Sequence, residues 1–157
     1  MIGGGQITDF RGPAEKLDHE LFARYCEASA LMPMMQYSLN IWDLGNQETR
    51  RICREMSALH AKYGDYIIAC AKAASQTGAP IVRAMEYAYP HCGYGGITDQ
   101  YLLGDRILVA PVLKKGQRRR KVCIPTGKWQ LGDKIYSNET VTLSCPVDTL
   151  LYFERID

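Results

Sequence analysis

Ser75-Gln76-Thr77-Gly78-Ala79-Pro80-Ile81-Val82-Arg83 is the stretch on which the fold turns. Gly78 suits the position just beyond a helix C-terminus, where φ is positive and a Cβ is costly, and Pro80 forbids further helix. Pro80-Ile81-Val82-Arg83 then begins a series of short, β-rich segments. They are Ile107-Leu108-Val109-Ala110-Pro111-Val112-Leu113, Lys121-Val122-Cys123-Ile124, Val141-Thr142-Leu143 and Leu150-Leu151-Tyr152-Phe153. Gly, Pro, Asp, Asn and Lys clusters separate them, which predicts an antiparallel sheet or sandwich after residue 78.

Upstream of Gly78 the spacing is helical. Ile52, Met56, Leu59, Tyr63, Ile67, Cys70, Ala71 and Ala74 follow i, i+3, i+4 steps, which predicts one long helix from about Glu48 to Ser75. Arg50, Arg51, Arg54, Glu55, Lys62 and Lys72 lie mostly off that stripe. Gly64 inside it costs about 1 kcal/mol relative to Ala. An earlier helix is expected to start at Asp18 as N-cap, with Glu20 in its first turn and Leu21, Phe22, Tyr25, Ala28 and Ser29 as its stripe. Pro33 stops it. Met34-Met35-Gln36-Tyr37-Ser38 reads as a short buried strand, followed by a loop bearing Trp42. Pro13 ends a Gly-containing loop, and Gly3-Gly4-Gly5 reads as a tight βα connection, because no Gly-Lys-Ser/Thr follows it. Strand, helix, strand, helix fits the edge of an α/β barrel. The fold class expected is therefore α/β plus β, divided into residues 1–78 and 79–157.

Composition bounds the function. The chain has 157 residues, 46% hydrophobic and 23% charged, ordinary globular values that exclude wholesale disorder. Lys plus Arg number 19 and Asp plus Glu 17, so a net charge of +2 gives no global pull toward nucleic acid or anionic membrane. Met1-Ile2-Gly3-Gly4-Gly5 does not read as a targeting segment. Tyr66-Ile67-Ile68-Ala69-Cys70-Ala71, ended by Lys72, falls far short of the roughly 18 residues a spanning helix needs. None of Cys26, Cys53, Cys70, Cys92, Cys123 and Cys145 forms a CxxC pair, which argues against a zinc ribbon or thioredoxin-like site. Disulfides stay possible. Asn138-Glu139-Thr140 is a glycosylation sequon, relevant only in the secretory pathway.

Few residue clusters point to chemistry. His19, His60 and His91 have no partners at metal-ligand spacing, so neither a metal nor another cofactor is expected. Ser38, Ser57 and Ser75 lack a nucleophile-elbow context. Asp43, Asp65, Glu86, Asp99 and Asp105 show no spacing that fixes a catalytic pair, and capping, turn or ion-pair roles are their default. Lys114, Lys115, Arg118, Arg119, Arg120 and Lys121 form a basic run that reads either as an anion contact or, better, as a solvated hairpin between strands. Without interleaved aromatics it gives no case for a nucleic-acid partner. Gln36, Tyr37, Ser38 and Trp42 follow a strand and precede a helix, where a barrel touches its substrate. Amide and hydroxyl groups can hydrogen-bond sugar hydroxyls and an indole can stack on a pyranose, or Tyr37 and Trp42 can simply pack the loop.

Three stretches together resemble glycoside hydrolase family 31. Ile2-Gly3-Gly4 is similar to the end of the family's Asp-Ile-Gly-Gly loop. Pro80-Ile81-Val82-Arg83, with Glu86 and Pro90, is similar to its Pro-Ile-Val-Arg segment. Asp99-Gln100-Tyr101-Leu102-Leu103-Gly104-Asp105, Leu108-Val109-Ala110-Pro111-Val112 and Ile124-Pro125-Thr126-Gly127-Lys128-Trp129 follow its Asp-Gln-Phe, Gly-Asp, Leu-Val-Ala-Pro-Val and Leu-Pro-x-Gly-x-Trp series. Gln36-Tyr37-Ser38 with Trp42-Asp43 resembles the myogenesis-regulating glycosidase branch, where ordinary family α-glucosidases carry Arg-Asn-His. That departure leaves galactose or another hexose open.

The resemblance implies the last strand-helix units of a (β/α)8 barrel followed by an antiparallel β-sandwich-like domain. It implies part of a retaining α-glycosidase acting on an α-glycoside, with secretory-pathway residence possible. Both catalytic Asp residues would lie on earlier strands, before Met1, so this chain is expected to hold no catalytic residue and to be inactive alone. Gly3-Gly4 and Gln36-Tyr37-Ser38 would supply one wall of the pocket. The alternative is a non-catalytic carbohydrate-binding or protein-interaction module.

Overall fold

The computed structural model describes residues 1–3 and 17–157. Gly4, Gly5 and Pro13, read above as parts of a connection, lie outside the described residues. Helix α1 spans His19–Ala30, and Asp18 caps it by accepting a 3.0 Å bond from Leu21 N. Its buried face is Phe22, Ala23, Cys26 and Ala30, whereas Leu21 and Tyr25 are exposed. The expected stripe was therefore rotated, because the charged-looking Arg24 and Glu27 are buried in place of Leu21 and Tyr25.

The single long helix is two. Helix α2 (Gln47–Lys62) ends at Tyr63, with φ −96° and ψ 9°, and α3 (Gly64–Thr77) starts at the next residue. Tyr63 leaves the helical path, and its hydroxyl donates a 2.5 Å bond to Glu154 Oε1. Past that break only Ile67 of α3 is buried, and Ala71 faces out. Gly78 closes α3 at φ 73°, donating to Ala74 O.

The buried strand expected at 34–38 is a single parallel bridge, Ile2 to Tyr37. Ile2 N donates to Gln36 O at 2.7 Å and Ser38 N donates to Ile2 O at 2.9 Å. Met34 is 86% exposed and Gln36 is exposed, while Met35 and Tyr37 are half-buried against the core.

After Gly78 every named pairing is antiparallel. The strands are β1 (Val82–Ala84), β2 (Tyr101–Leu103), β3 (Ile107–Ala110), β4 (Arg119–Ile124), β5 (Trp129–Leu131), β6 (Lys134–Tyr136), β7 (Glu139–Ser144) and β8 (Leu151–Arg155). A four-residue helix, α4 (Met85–Ala88), follows β1. Six strands form one sheet in the order β1-β2-β3-β8-β5-β6, and among the described residues β4 pairs only with β7. The larger sheet is buried on both faces. Leu103, Ile107, Val109 and Leu150 pack with α1, α2 and α3. Leu102, Leu108, Ala110, Leu151 and Phe153 pack with Val122 and Ile124 of β4. Period-two alternation along β2, β3 and β8 sends neighbouring side chains into the two cores.

The basic run does not form a hairpin between neighbouring strands. It carries the chain from β3, in the large sheet, to β4, in the small one. Lys115 pairs with Asp18 and Arg118 with Glu20, each at 2.6 Å, and Gly116 N donates to Glu20 Oε1. The run thus holds the first turn of α1 against the β-rich half.

Candidate functional site

Tyr37 is the pivot of the site. Its ring stacks near Phe22, with centroids 6.4 Å apart. Its hydroxyl donates to Cys53 O at 3.0 Å and shares hydrogen bonds with Ser57 Oγ and Cys26 Sγ, also at 3.0 Å. Burial, with Cys26 beside it, pushes this phenol up from its ordinary value. Tyr37 therefore faces α1 and α2, and its hydroxyl is committed there. These contacts are those of the packing alternative given above for Tyr37.

Extended backbone sends successive side chains to opposite faces, so Gln36 points away from those helices. Gln36 is exposed. Ser38 Oγ donates to Ile2 O at 2.8 Å, tying the two bridge partners together. Gly3 has φ 89°, and a Cβ there would meet Ser38 Oγ at 2.8 Å and Phe22 at 2.9 Å. Only Gly fits beneath Ser38. Gly4, expected beside it in the pocket wall, lies outside the described residues.

Trp42 sits in a short 3-10 turn, Ile41–Asp43, that Asn40 builds by accepting from Trp42 N and donating to Asp43 Oδ2. Its indole is 64% exposed. Asn46 caps the following α2 through Thr49 N. Trp42, Ile41, Arg51, Arg54, Glu55, Ser57 and Ala58 line an open concavity of about 560 Å³. Arg51 is saturated by Glu48, Glu55 and Asp148, and it holds the Glu48 and Asp148 carboxyls below their usual range. Glu55, the one acidic lining residue, is bound to Arg51.

A second hollow, of about 420 Å³, lies between α1 and the 94–101 segment. Glu86 and Asp99 line it, and both are engaged. Glu86 accepts from His91 N and Tyr94 N at 3.0 Å, and Asp99 pairs with buried Arg120 at 2.8 Å. Retaining glycoside cleavage needs two carboxyls about 5–5.5 Å apart, one free to attack and one to donate a proton. The described residues offer no such free pair in either hollow. What the first hollow offers is the aromatic face of Trp42 and the cation of Arg54, while Gln36 is not among its lining residues. These groups can bind and orient a sugar.

The motif residues after Gly78 are couplers. Gln100 is buried, and its amide donates to Cys123 O and accepts from Cys123 N, replacing a strand partner beside β4. Tyr101 OH donates to Ala28 O of α1. Arg120 donates to the carbonyls of Pro111 and Asp99. Trp129 is fully buried in the second core. Sequence reading missed Arg24 and Glu27 altogether. Arg24 donates to Glu27 Oε2 at 2.8 Å and to the carbonyls of Gln117 and Cys145, while Arg24 Nε and Glu27 Oε1 have no partner among the described residues. An (i, i+3) charge pair on an otherwise apolar face was the available signal.

Residues 78–155 match the family model described as the glycosyl hydrolase family 31 C-terminal domain. Myogenesis-regulating glycosidase from Mus musculus is 34% identical over 155 residues, which cover 94% of this chain and 22% of that protein. A family 31 alpha-xylosidase from a soil metagenome, solved with xylose, superposes with a TM-score of 0.79 at 27% identity, over 87% of this chain and 25% of its own. A cycloalternan-degrading enzyme from Trueperella pyogenes, solved with a covalent intermediate, gives a TM-score of 0.78 at 26% identity, over 94% and 23%. The chain thus spans about a quarter or less of the relatives it matches.

Proposed function

The chain belongs to glycoside hydrolase family 31, and from that premise we propose that it forms the closing strand-helix units and the C-terminal β-rich domain of a retaining α-glycosidase. The division falls at residues 78/79, a placement supported by the αL cap at Gly78 and by the start of the family match. The observation that carries the reading is the parallel Ile2–Tyr37 pairing with α1 between its two members. Parallel neighbours joined through a helix are the repeating unit of a barrel. Tyr37 supports that unit from the helix side, which leaves Gln36 on the face where a barrel holds its interior.

In this reading the pair of reacting carboxyls lies outside these 157 residues. Those carboxyls form and hydrolyse the glycosyl-enzyme intermediate, with retention. Gln36 hydrogen-bonds ring hydroxyls, Trp42 stacks on the apolar face of the sugar, and Ser38 fixes the Ile2 backbone behind them. The β-rich half serves as a buttress, through the Lys115, Arg118 and Tyr101 contacts to α1. Gln36-Tyr37-Ser38 stands where an Arg-Asn-His series would bind glucose, so the hexose need not be glucose.

The test pairs the purified 157-residue chain with the complete protein on aryl α-glucoside and α-galactoside. The chain should show no turnover. The complete protein should turn over one of them with retained anomeric configuration, and Gln36→Ala should raise its KM. Turnover by the contaminant-free chain sinks the proposal. Saturable sugar binding by the chain, together with a complete protein that does not hydrolyse, would favour a binding module instead.

A further inference from the structure

We infer that Asn138 is an N-glycosylation site, and hence that the β-rich half is exposed to the lumen of the secretory pathway during synthesis. The sequon Asn138-Glu139-Thr140 is the only Asn-x-Ser/Thr triplet in the chain. A triplet alone says little, because many are buried or locked in regular structure. Here the acceptor Asn138 lies outside regular structure, immediately before β7. All three residues are exposed. Asn138 stands in the connection from β6 to β7, at φ 46°, a left-handed conformation that Asn tolerates better than most residues. Its backbone N–H is satisfied by Pro125 O, while its carboxamide makes no hydrogen bond among the described residues. The acceptor nitrogen is therefore free, on a backbone that is held in place.

Thr140 lies in β7, which among the described residues pairs only with β4, and its hydroxyl has no partner among those residues. The strand has no fully buried residue. A bulky, hydrated glycan at its start collides with nothing in either core, and neither hollow is lined by residues of the triplet. It would also stand three residues from Ile135, which is 58% exposed on the edge strand β6. Unpaired edges carrying apolar groups are aggregation sites, and a solubilising chain beside them blunts that hazard.

The modification requires a lipid-pyrophosphate-linked oligosaccharide as donor. The Asn138 amide nitrogen forms a bond to the anomeric carbon as the bond from that carbon to the pyrophosphate oxygen breaks. The lipid pyrophosphate leaves with the electron pair, and the amide proton passes to a base of the transferase. Nothing is oxidised or reduced.

The experiment expresses the protein from its complete coding sequence in cultured animal cells. The tryptic peptide holding Asn138 is then read by mass spectrometry, before and after peptide N-glycanase in heavy-oxygen water. Most copies should carry hexose and N-acetylhexosamine and convert to labelled Asp after glycanase. Asn138→Gln and Thr140→Val should each abolish the glycopeptide. Thr140→Val keeps the β-branched shape that suits a strand, so it separates loss of the acceptor motif from loss of folding. Unmodified Asn138 in the recovered wild-type protein, from whatever compartment, overturns the inference. So does a glycopeptide that survives Thr140→Val.

Discussion

Glu27 should make this fold less stable as the solution becomes more alkaline. The carboxyl is fully buried at the seam between α1 and the β-rich half. Burial pushes it up to about 7 from an ordinary 4.5, against the opposing pull of Arg24. Glu20 on its own helix and Asp148 from the β7–β8 connection add to the rise. Arg118 holds Glu20, and Arg51 holds Asp148. A carboxyl that holds its proton more tightly in the folded than in the unfolded state contributes stability that is complete below the unfolded value. That contribution is lost as pH climbs through the folded value. The interval from 4.5 to about 7 corresponds to a loss of up to about 3 kcal/mol between about pH 5 and about pH 8. Glu27→Gln keeps an acceptor for Arg24 and does not titrate. It leaves Arg24 without a countercharge, so its absolute stability can fall at every pH. The informative quantity is the slope. Urea unfolding at several pH values should show wild type losing up to about 3 kcal/mol relative to the variant over that interval. His19, His60 and His91 are common to both proteins and cancel in the difference. Parallel curves for the two proteins would refute the reasoning.

Two further outcomes follow from close contacts. Gly104→Ala places a Cβ against Tyr66 Oη and 2.7 Å from Cys70 Sγ, at φ 60°. It should cost about 3 kcal/mol in urea unfolding, and a cost near zero would mean that α3 does not press on the β2–β3 turn. Tyr37→Phe removes the hydroxyl shared by Cys53 O, Ser57 and Cys26, and should cost about 1–2 kcal/mol of stability while, on the proposed function, leaving the KM for an α-glycoside unchanged. A raised KM with unaltered stability would put Tyr37 back against the sugar.

The parts of the fold that were legible in the sequence are those set by local chemistry. Gly78 and Pro80 end a helix whatever surrounds them, and β3 and β8 are apolar enough to be recognised alone. Strands β2, β5 and β6 were not recognised, because each has three residues and shows no full period of alternation. Gly132-Asp133 between β5 and β6 was a usable hairpin signal, since Leu131 pairs directly with Lys134. The long helix failed at Tyr63 for a tertiary reason, a hydroxyl drawn to Glu154 from β8. The phase of α1 failed likewise. Arg24 and Glu27 look like surface residues until the carbonyls of Gln117 and Cys145 arrive to receive Arg24.

The candidate site was less legible, for a reason that Tyr37 makes concrete. A tyrosine after a strand can face a barrel's interior or its helices, and the choice depends on what the helices present. Here α1 presents Cys26, small enough to admit a phenol, and α2 presents Ser57 and the Cys53 carbonyl to satisfy it. Those three partners lie 11 to 20 residues away, at positions that carry no signal of their own. Once Tyr37 is turned toward the helices, alternation leaves Gln36 on the opposite face. The same logic separates Asp99, Gln100 and Tyr101 from chemistry. A motif dense in polar groups invites a catalytic reading, yet Asp99 meets Arg120, Gln100 meets the Cys123 backbone and Tyr101 meets the Ala28 carbonyl. Each joins two elements that the chain alone would leave apart. The buried Gln100 amide, bonded through both its oxygen and its nitrogen to the Cys123 backbone, has nothing left to offer a substrate, and at that residue the resemblance is one of scaffold.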